Sequence, residues 1–155
     1  MTLQVGDKAP HFTLPDTSRE DVGFPMDPAQ NVVLLFVPLA FTGVCTAELC
    51  DVSQGLSAYE DLGARVLAIS VDSPFALKSW ADQEGITLTL LSDFNKEVSA
   101  AYGAQYDDFI GLKGVAKRSA FVIDKEGVVR HASVSDDPTV LPDFEAIQAC
   151  LQALE

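Results

Sequence analysis

The longest uninterrupted apolar run in the first half of the chain is Val32 to Val37, six residues that begin with two β-branched ones. A short run with no polar alternation is the pattern of a strand covered on both faces. From Cys45 to Tyr59 the pattern changes. Leu49, Val52, Leu56 and Tyr59 recur at helical spacing and predict a helix with one inward side. Gly63 closes that unit, and Arg65 to Val71 predicts the next strand. Ser73-Pro74 then predicts a helix start, since serine caps well and proline suits the first turn. That helix should reach about Gln83. Leu88 to Leu91 reads as a short strand and Asn95 to Ala101 as a short helix. Upstream, Ala9 to Pro15 predicts a short strand, and Asp16 to Pro28 a turn-rich connection.

The last third has a different rhythm. Ser119 to Ile123 and Val128 to Val134 predict strands joined by Asp124-Lys125-Glu126-Gly127. A short polar connection ending in glycine suits a bulged hairpin, so these two strands should be antiparallel. Pro142 to Leu154 predicts a final helix with Phe144, Ile147, Leu151 and Leu154 turned inward. Strand–helix–strand–helix followed by a hairpin and a helix implies an α/β fold, a mixed central sheet flanked by helices on both faces. The order is similar to a thioredoxin-like fold, with extra residues at the N-terminus and around Leu88 to Gly114. No repeat or linker divides residues 1–155, a length that suits a single domain.

Composition narrows the classes of function. Hydrophobic residues make up 48% of the chain, yet no apolar stretch is long enough to cross a bilayer. The polar segment from Met1 to Pro10 lacks the basic and apolar regions of a secretory signal, and a cytoplasmic protein is expected. A net charge of −13 argues against nucleic acid and anionic membrane surfaces as partners. Three cysteines are too few, and the wrong parity, for a disulfide scaffold. In a reducing compartment they are reactive, ligating or simply buried.

Cys45 opens the predicted helix that follows the Val32–Val37 strand. The free amides and positive dipole end of a helix favour an anion there, and a cysteine so placed tends towards the reactive thiolate. Its neighbours fit a reaction pocket. Thr42 lies three residues upstream, Pro38 is placed to exclude water, and the N–H groups of Val44 and Cys45 are available to an incoming oxygen. Position alone leaves a second reading open, a buried and inert cysteine at a helix start.

Pro38-x-x-x-Thr42-x-x-Cys45 resembles the active-site signature of the peroxiredoxins, thiol peroxidases built on a thioredoxin fold. Gly6-x-x-Ala9-Pro10-x-Phe12-x-Leu14 is similar to the family's N-terminal strand, and Arg118-x-x-Phe121-Val122-Ile123-Asp124 to its late strand carrying an active-site arginine. The three segments fall in the family's order over essentially the whole chain. The resemblance implies that Cys45 attacks a peroxide O–O bond to give a sulfenic acid, with Pro38, Thr42 and Arg118 around it. Arg118 makes physical sense as a permanent cation with fixed donors, although taken alone it also reads as a surface arginine beside Lys117. Glu48, one turn along the helix, matches a position that orients the arginines in related members.

The second cysteine bears on the subtype. Cys45-x-x-x-x-Cys50 matches the PrxQ, or bacterioferritin-comigratory, subfamily, which implies that Cys50 resolves the sulfenic acid as a disulfide. Val37-Pro38-Leu39-Ala40-Phe41-Thr42-Gly43-Val44-Cys45 also resembles the AhpE-type group, whose members need not have that partner. Five residues along a helix hold two Cα atoms about 8 Å apart and about 140° around the axis. Disulfides need about 7 Å or less, so resolution requires the helix start to unwind. The implied partners are a peroxide and a thioredoxin-like or other thiol reductant, with no cofactor or metal and with a monomer and a homodimer both open.

The sequence leaves two other functions open. A general thiol–disulfide oxidoreductase shares the fold but normally carries Cys-x-x-Cys. A metal- or redox-sensing domain would use Cys45 and Cys50, an incomplete zinc set. Cys150 reads as core or half-buried, Trp80 as helix packing, and His11 and His131 as solvated. Phe109 and Ile110 are open between pocket lining and a subunit contact.

Overall fold

The computed structural model describes residues 3–154; Met1, Thr2 and Glu155, including the head of the segment read as signal-free, lie outside the described residues. The chain runs β1 (Phe12–Pro15), β2 (Asp21–Phe24), β3 (Asn31–Phe36), α1 (Gly43–Gln54), α2 (Leu56–Asp61), β4 (Ala64–Ser70), α3 (Pro74–Glu84), β5 (Thr89–Ser92), α4 (Glu97–Ala101), β6 (Ser119–Ile123), β7 (Val129–Val134) and α5 (Phe144–Ala153). The central sheet has the order β5-β4-β3-β6-β7. β3, β4 and β5 are parallel, whereas β6 runs antiparallel to β3 and to β7. β3 therefore sits in the middle, where the apolar run places it.

The two faces of β3 feed two separate cores, as the two-residue side-chain period of a strand requires. Val33, Leu35 and Val37 pack with Leu49 and Val52 of α1, Tyr59 of α2, Leu77 and Trp80 of α3, and Ile147 and Leu151 of α5. Val32, Leu34 and Phe36 pack instead with Phe12, Leu14, Phe24, Val98 and Tyr102. Helices thus cover both faces, four on one and α4 together with the β1–β2 hairpin on the other. Fully burying a side chain such as Leu49 contributes about 1.5–3 kcal/mol.

Several predicted boundaries move for identifiable reasons. The segment Asp16–Pro28, read as connection, contains β2, which pairs antiparallel with β1 in a separate two-stranded sheet. Its four residues are too few to show alternation against the surrounding turns. The helix predicted as one piece from Cys45 to Tyr59 starts earlier, at Gly43, and is broken at Gly55 into α1 and α2. Leu56 and Tyr59 stay on the inward side across the break, which is why the spacing did not reveal it. The cap of α3 is as predicted: the Ser73 hydroxyl accepts from Ala76 N at 3.1 Å. Gly85 ends that helix at φ +71°, a left-handed conformation that glycine adopts without a Cβ penalty. The β6–β7 hairpin is antiparallel, with a register shift between Val122 and Ile123 and Gly127 at φ +82°. His131 departs from expectation: it is half-buried, and its Nε2 has no hydrogen-bond partner among the described residues.

Candidate active site

The register of the sheet assembles the site. Phe36, the last residue of β3, stands opposite Ser119, the first of β6, so Arg118 enters beside the loop that leaves β3 for α1. Phe36 also pairs with Ile69, which brings the end of β4 to the same loop from the other side. Strand ends far apart in sequence meet around Pro38 to Thr42.

Thr42 is the N-cap of α1 and has extended backbone, but its hydroxyl makes no capping bond. It donates instead to the Leu39 carbonyl at 2.8 Å, across its own loop. That bond ties the two ends of the loop together and shapes the pocket wall. Cys45, the third residue of α1, is fully buried.

Arg118 is 2% exposed and spends its guanidinium on three different partners. Nη2 donates to Cys45 Sγ at 3.1 Å, Nη1 to Glu48 Oε1 at 2.6 Å, and Nε to the Pro138 carbonyl at 2.8 Å. Burial works against the arginine's charge, but Cys45 and Glu48 outweigh it and leave its pKa raised. Glu48 is 1% exposed. Desolvation pushes its carboxyl up to about 7 despite the opposing pull of Arg118. Its second oxygen, Oε2, has no hydrogen-bond partner among the described residues.

A cavity of about 170 Å³ opens onto this group, walled by Pro38, Leu39, Thr42, Gly43, Val44, Phe109, Pro138 and Thr139 with Cys45 and Arg118 at its base. A roomier cleft of about 420 Å³ at the far end of the strands, lined by Gln30, Arg65 and Thr87, contains neither group. The small cavity is the candidate site because a buried sulfur and a fixed guanidinium share it.

The other expected residues separate by place. Cys50 lies on the same unbroken helix as Cys45, half-buried, with its Sγ 3.5 Å from the Glu84 carbonyl at the end of α3. Burial and then the charges of Glu84 and Asp51 push its thiol pKa up. Cys150 is half-buried on α5. Trp80 is fully buried and donates from Nε1 to the hydroxyl of Thr46, the residue after Cys45, at 3.0 Å. Phe109 lines the cavity, whereas Ile110 is 80% exposed. The Pro138 carbonyl has no signature in sequence, since a backbone acceptor belongs to every residue. Among the described residues no group of three or more His, Cys, Asp or Glu is placed to hold a metal, and no helix is long and apolar enough to cross a membrane.

A buried cysteine at a helix start, under an arginine carried by the next antiparallel strand, is the arrangement that the peroxiredoxin-like motifs imply. The model of the AhpC/TSA family matches residues 5–132, and the chain belongs to that family. It is 43% identical over 137 residues to alkyl hydroperoxide reductase E of Mycobacterium tuberculosis, covering 85% of this chain and 86% of the relative. It is 36% identical over 148 residues to peroxiredoxin TSA1 of Saccharomyces cerevisiae, covering 89% and 74%. Among solved structures, the peroxidoxin BcpB of Mycobacterium tuberculosis superposes with a TM-score of 0.87 at 26% identity, covering 99% of both chains. A peroxiredoxin-like protein of Aquifex aeolicus does so with a TM-score of 0.90 at 27% identity, covering 100% of this chain and 90% of that one. These neighbours bear out the thioredoxin-like fold and the position between the PrxQ and AhpE types. The chain is an enzyme of thiol-dependent peroxide reduction.

Proposed function

We propose that Cys45 is the peroxidatic residue, attacking hydrogen peroxide or an organic hydroperoxide in the cavity beneath Pro38 and Thr42. The observation that carries this reading is the 3.1 Å contact between Arg118 Nη2 and the buried Cys45 sulfur. A guanidinium fixed by two further acceptors offers donors to the sulfur and to the oxygen that leaves, with little reorganisation during reaction. The sulfur bonds to one peroxide oxygen, the O–O bond breaks, and the other oxygen departs as water or an alcohol once protonated. Cys45 is left as a sulfenic acid. Glu48 holds Nη1 and so turns Nη2 towards the sulfur.

For the second half of the cycle we assign Cys50 as the resolving thiol within the same chain. Its thiolate attacks the sulfenic sulfur, water leaves, and a Cys45–Cys50 disulfide results. The bond needs the first turns of α1 to unwind, because the intact helix separates the two Cα atoms by about 8 Å. Unwinding would present the disulfide to a thioredoxin-like dithiol in the cytoplasm, which returns both thiols.

A second reading has its own support. The Cys50 sulfur faces the Glu84 carbonyl, and its raised pKa lowers its thiolate fraction. On that reading an external thiol reduces the sulfenic acid directly. Mass spectrometry after one equivalent of peroxide separates the two. A Cys45–Cys50 disulfide, two hydrogens lighter and absent from Cys50→Ser, supports the resolving role. Persistent sulfenic acid in wild type refutes that role and leaves the peroxidase intact. Full peroxide consumption by Cys45→Ser refutes the peroxidase reading itself.

A further inference from the structure

The loop from Pro38 to Thr42 forms one wall of the cavity, and its shape is held from outside the catalytic group. Phe41 sits at φ +66°, in the left-handed region, although it carries a bulky side chain. Such a conformation costs about 1–2 kcal/mol and persists only where neighbouring contacts over-determine it. On its C-terminal side the tie is α1 itself, where Thr46 N donates to the Thr42 carbonyl at 3.0 Å. On its N-terminal side the tie is a side chain 32 residues away. Ala40 N donates to Asp72 Oδ2 at 2.8 Å.

Asp72 is itself anchored by three hydrogen bonds to two residues. The Ser70 hydroxyl, at the end of β4, donates to the same Oδ2. Asp72 N donates back to Ser70 Oγ at 3.2 Å, and the Ser92 hydroxyl, at the end of β5, donates to the Asp72 carbonyl at 2.6 Å. The carboxylate is thus held by the end of β4 and the backbone of Asp72 by the end of β5, and Oδ2 is presented to the loop. Ala40 is buried, so without Asp72 its N–H would lose its acceptor inside the protein. Leu39 and Thr42, on either side of the Ala40–Phe41 pair, both line the cavity, and they are joined by the Thr42 hydroxyl.

We propose that Asp72 is a positioning residue for peroxide reduction: through the Ala40 amide it fixes the Leu39–Thr42 wall against which the peroxide is held opposite Cys45 and Arg118. It acts through backbone, and its effect is on the geometry of approach rather than on the sulfur. A displaced wall leaves the sulfur open to reagents that need no placement while slowing the one that does. The proposal rests on Cys45 being the attacking sulfur. Locating the added oxygen by peptide mass spectrometry in the wild-type chain tests that reading separately.

The test uses the full chain in a Cys50→Ser, Cys150→Ser background, where Cys45 is the sole thiol. Second-order rates are measured for hydrogen peroxide and for iodoacetamide, an alkylating agent with no O–O bond to align. Asp72→Ala should lose about tenfold with peroxide and less than about twofold with iodoacetamide, since small misplacements cost reactions that depend on alignment. Asp72→Asn keeps one oxygen that can accept from both Ala40 N and the Ser70 hydroxyl, and should stay within about threefold of the parent rate with peroxide. Ser70→Ala loosens the carboxylate without removing it and should fall between the two. If Asp72→Ala does not fold, Ser70→Ala and Asp72→Asn carry the comparison. Parent-like peroxide rates in both Asp72→Ala and Ser70→Ala would overturn the proposal. So would an Asp72→Asn as slow as Asp72→Ala, or equal losses with the two reagents.

Discussion

Replacing Arg118 by methionine keeps an unbranched apolar stem in the core and removes the three donors at once. The rate and the stability should respond differently. Loss of the charge-assisted donor at the sulfur and leaving oxygen should cost the oxidation step about 2–4 kcal/mol, or about 10²–10³-fold. For stability, removing one partner of a buried ion pair typically costs about 3–5 kcal/mol. Here the cost should fall below that range near neutral pH, because Glu48 already has a pKa of about 7 and can protonate instead of staying charged. Adding Glu48→Leu to Arg118→Met removes the abandoned carboxyl, so the double variant should recover stability while remaining slow. The single tryptophan, Trp80, bonds to the residue after Cys45 and gives a built-in fluorescence signal for stopped-flow mixing with peroxide. Urea unfolding supplies the stability arm. A wild-type second-order rate in Arg118→Met, or a rate that returns in the double variant, would show that the arginine's role is structural.

Cys45→Ser should abolish peroxide consumption while Cys150→Ser, altered on α5, consumes peroxide at close to the wild-type rate in a coupled reductant assay. Glu48 ties stability to pH: its carboxyl is raised from an ordinary 4.5 to about 7, so between those values the folded chain holds a proton that the unfolded chain has released. Stability from this group should therefore fall by about 3 kcal/mol as pH rises through that window, and Glu48→Gln should flatten the slope of urea midpoints against pH. Leu49→Ala, which hollows the core between α1 and β3, should cost about 2–5 kcal/mol in the same unfolding assay. Asp143→Ala removes the side chain that accepts from Ala146 N at the start of α5, and should cost about 1 kcal/mol.

The parts of the fold that could be read ahead are those in which one physical cause dominates. Val32 to Val37 is apolar throughout because both faces of β3 are covered, and Ser73-Pro74 starts α3 because capping chemistry is local. β2 was invisible because it owes its strand conformation to pairing with β1, a contact no local window contains. The break at Gly55 was hidden because Leu56 and Tyr59 keep facing the same core after it. The signature singled out Cys45, Thr42 and Arg118, which the fold brings around one cavity, but not the bond of the Thr42 hydroxyl to the Leu39 carbonyl. Asp72 and the Pro138 carbonyl were not legible. Their partners are a backbone N–H and an arginine Nε, reached only after the sheet register has brought distant strand ends together.

The uncapped start of α1 places a limit on how this protein can be made more heat-tolerant. Thr42 is an N-cap that does not cap, so the helix forgoes a bond worth about 1 kcal/mol at the position where design rules would restore it first. Aspartate there would satisfy first-turn amides and favour the helix dipole, and a stability screen would rank it highly. Its carboxylate would also occupy the donors nearest Cys45 and bring a fixed negative charge towards the sulfur. On the proposed mechanism the gain in melting temperature would come from filling the place an incoming oxygen needs, so a substitution at residue 42 should trade turnover for robustness.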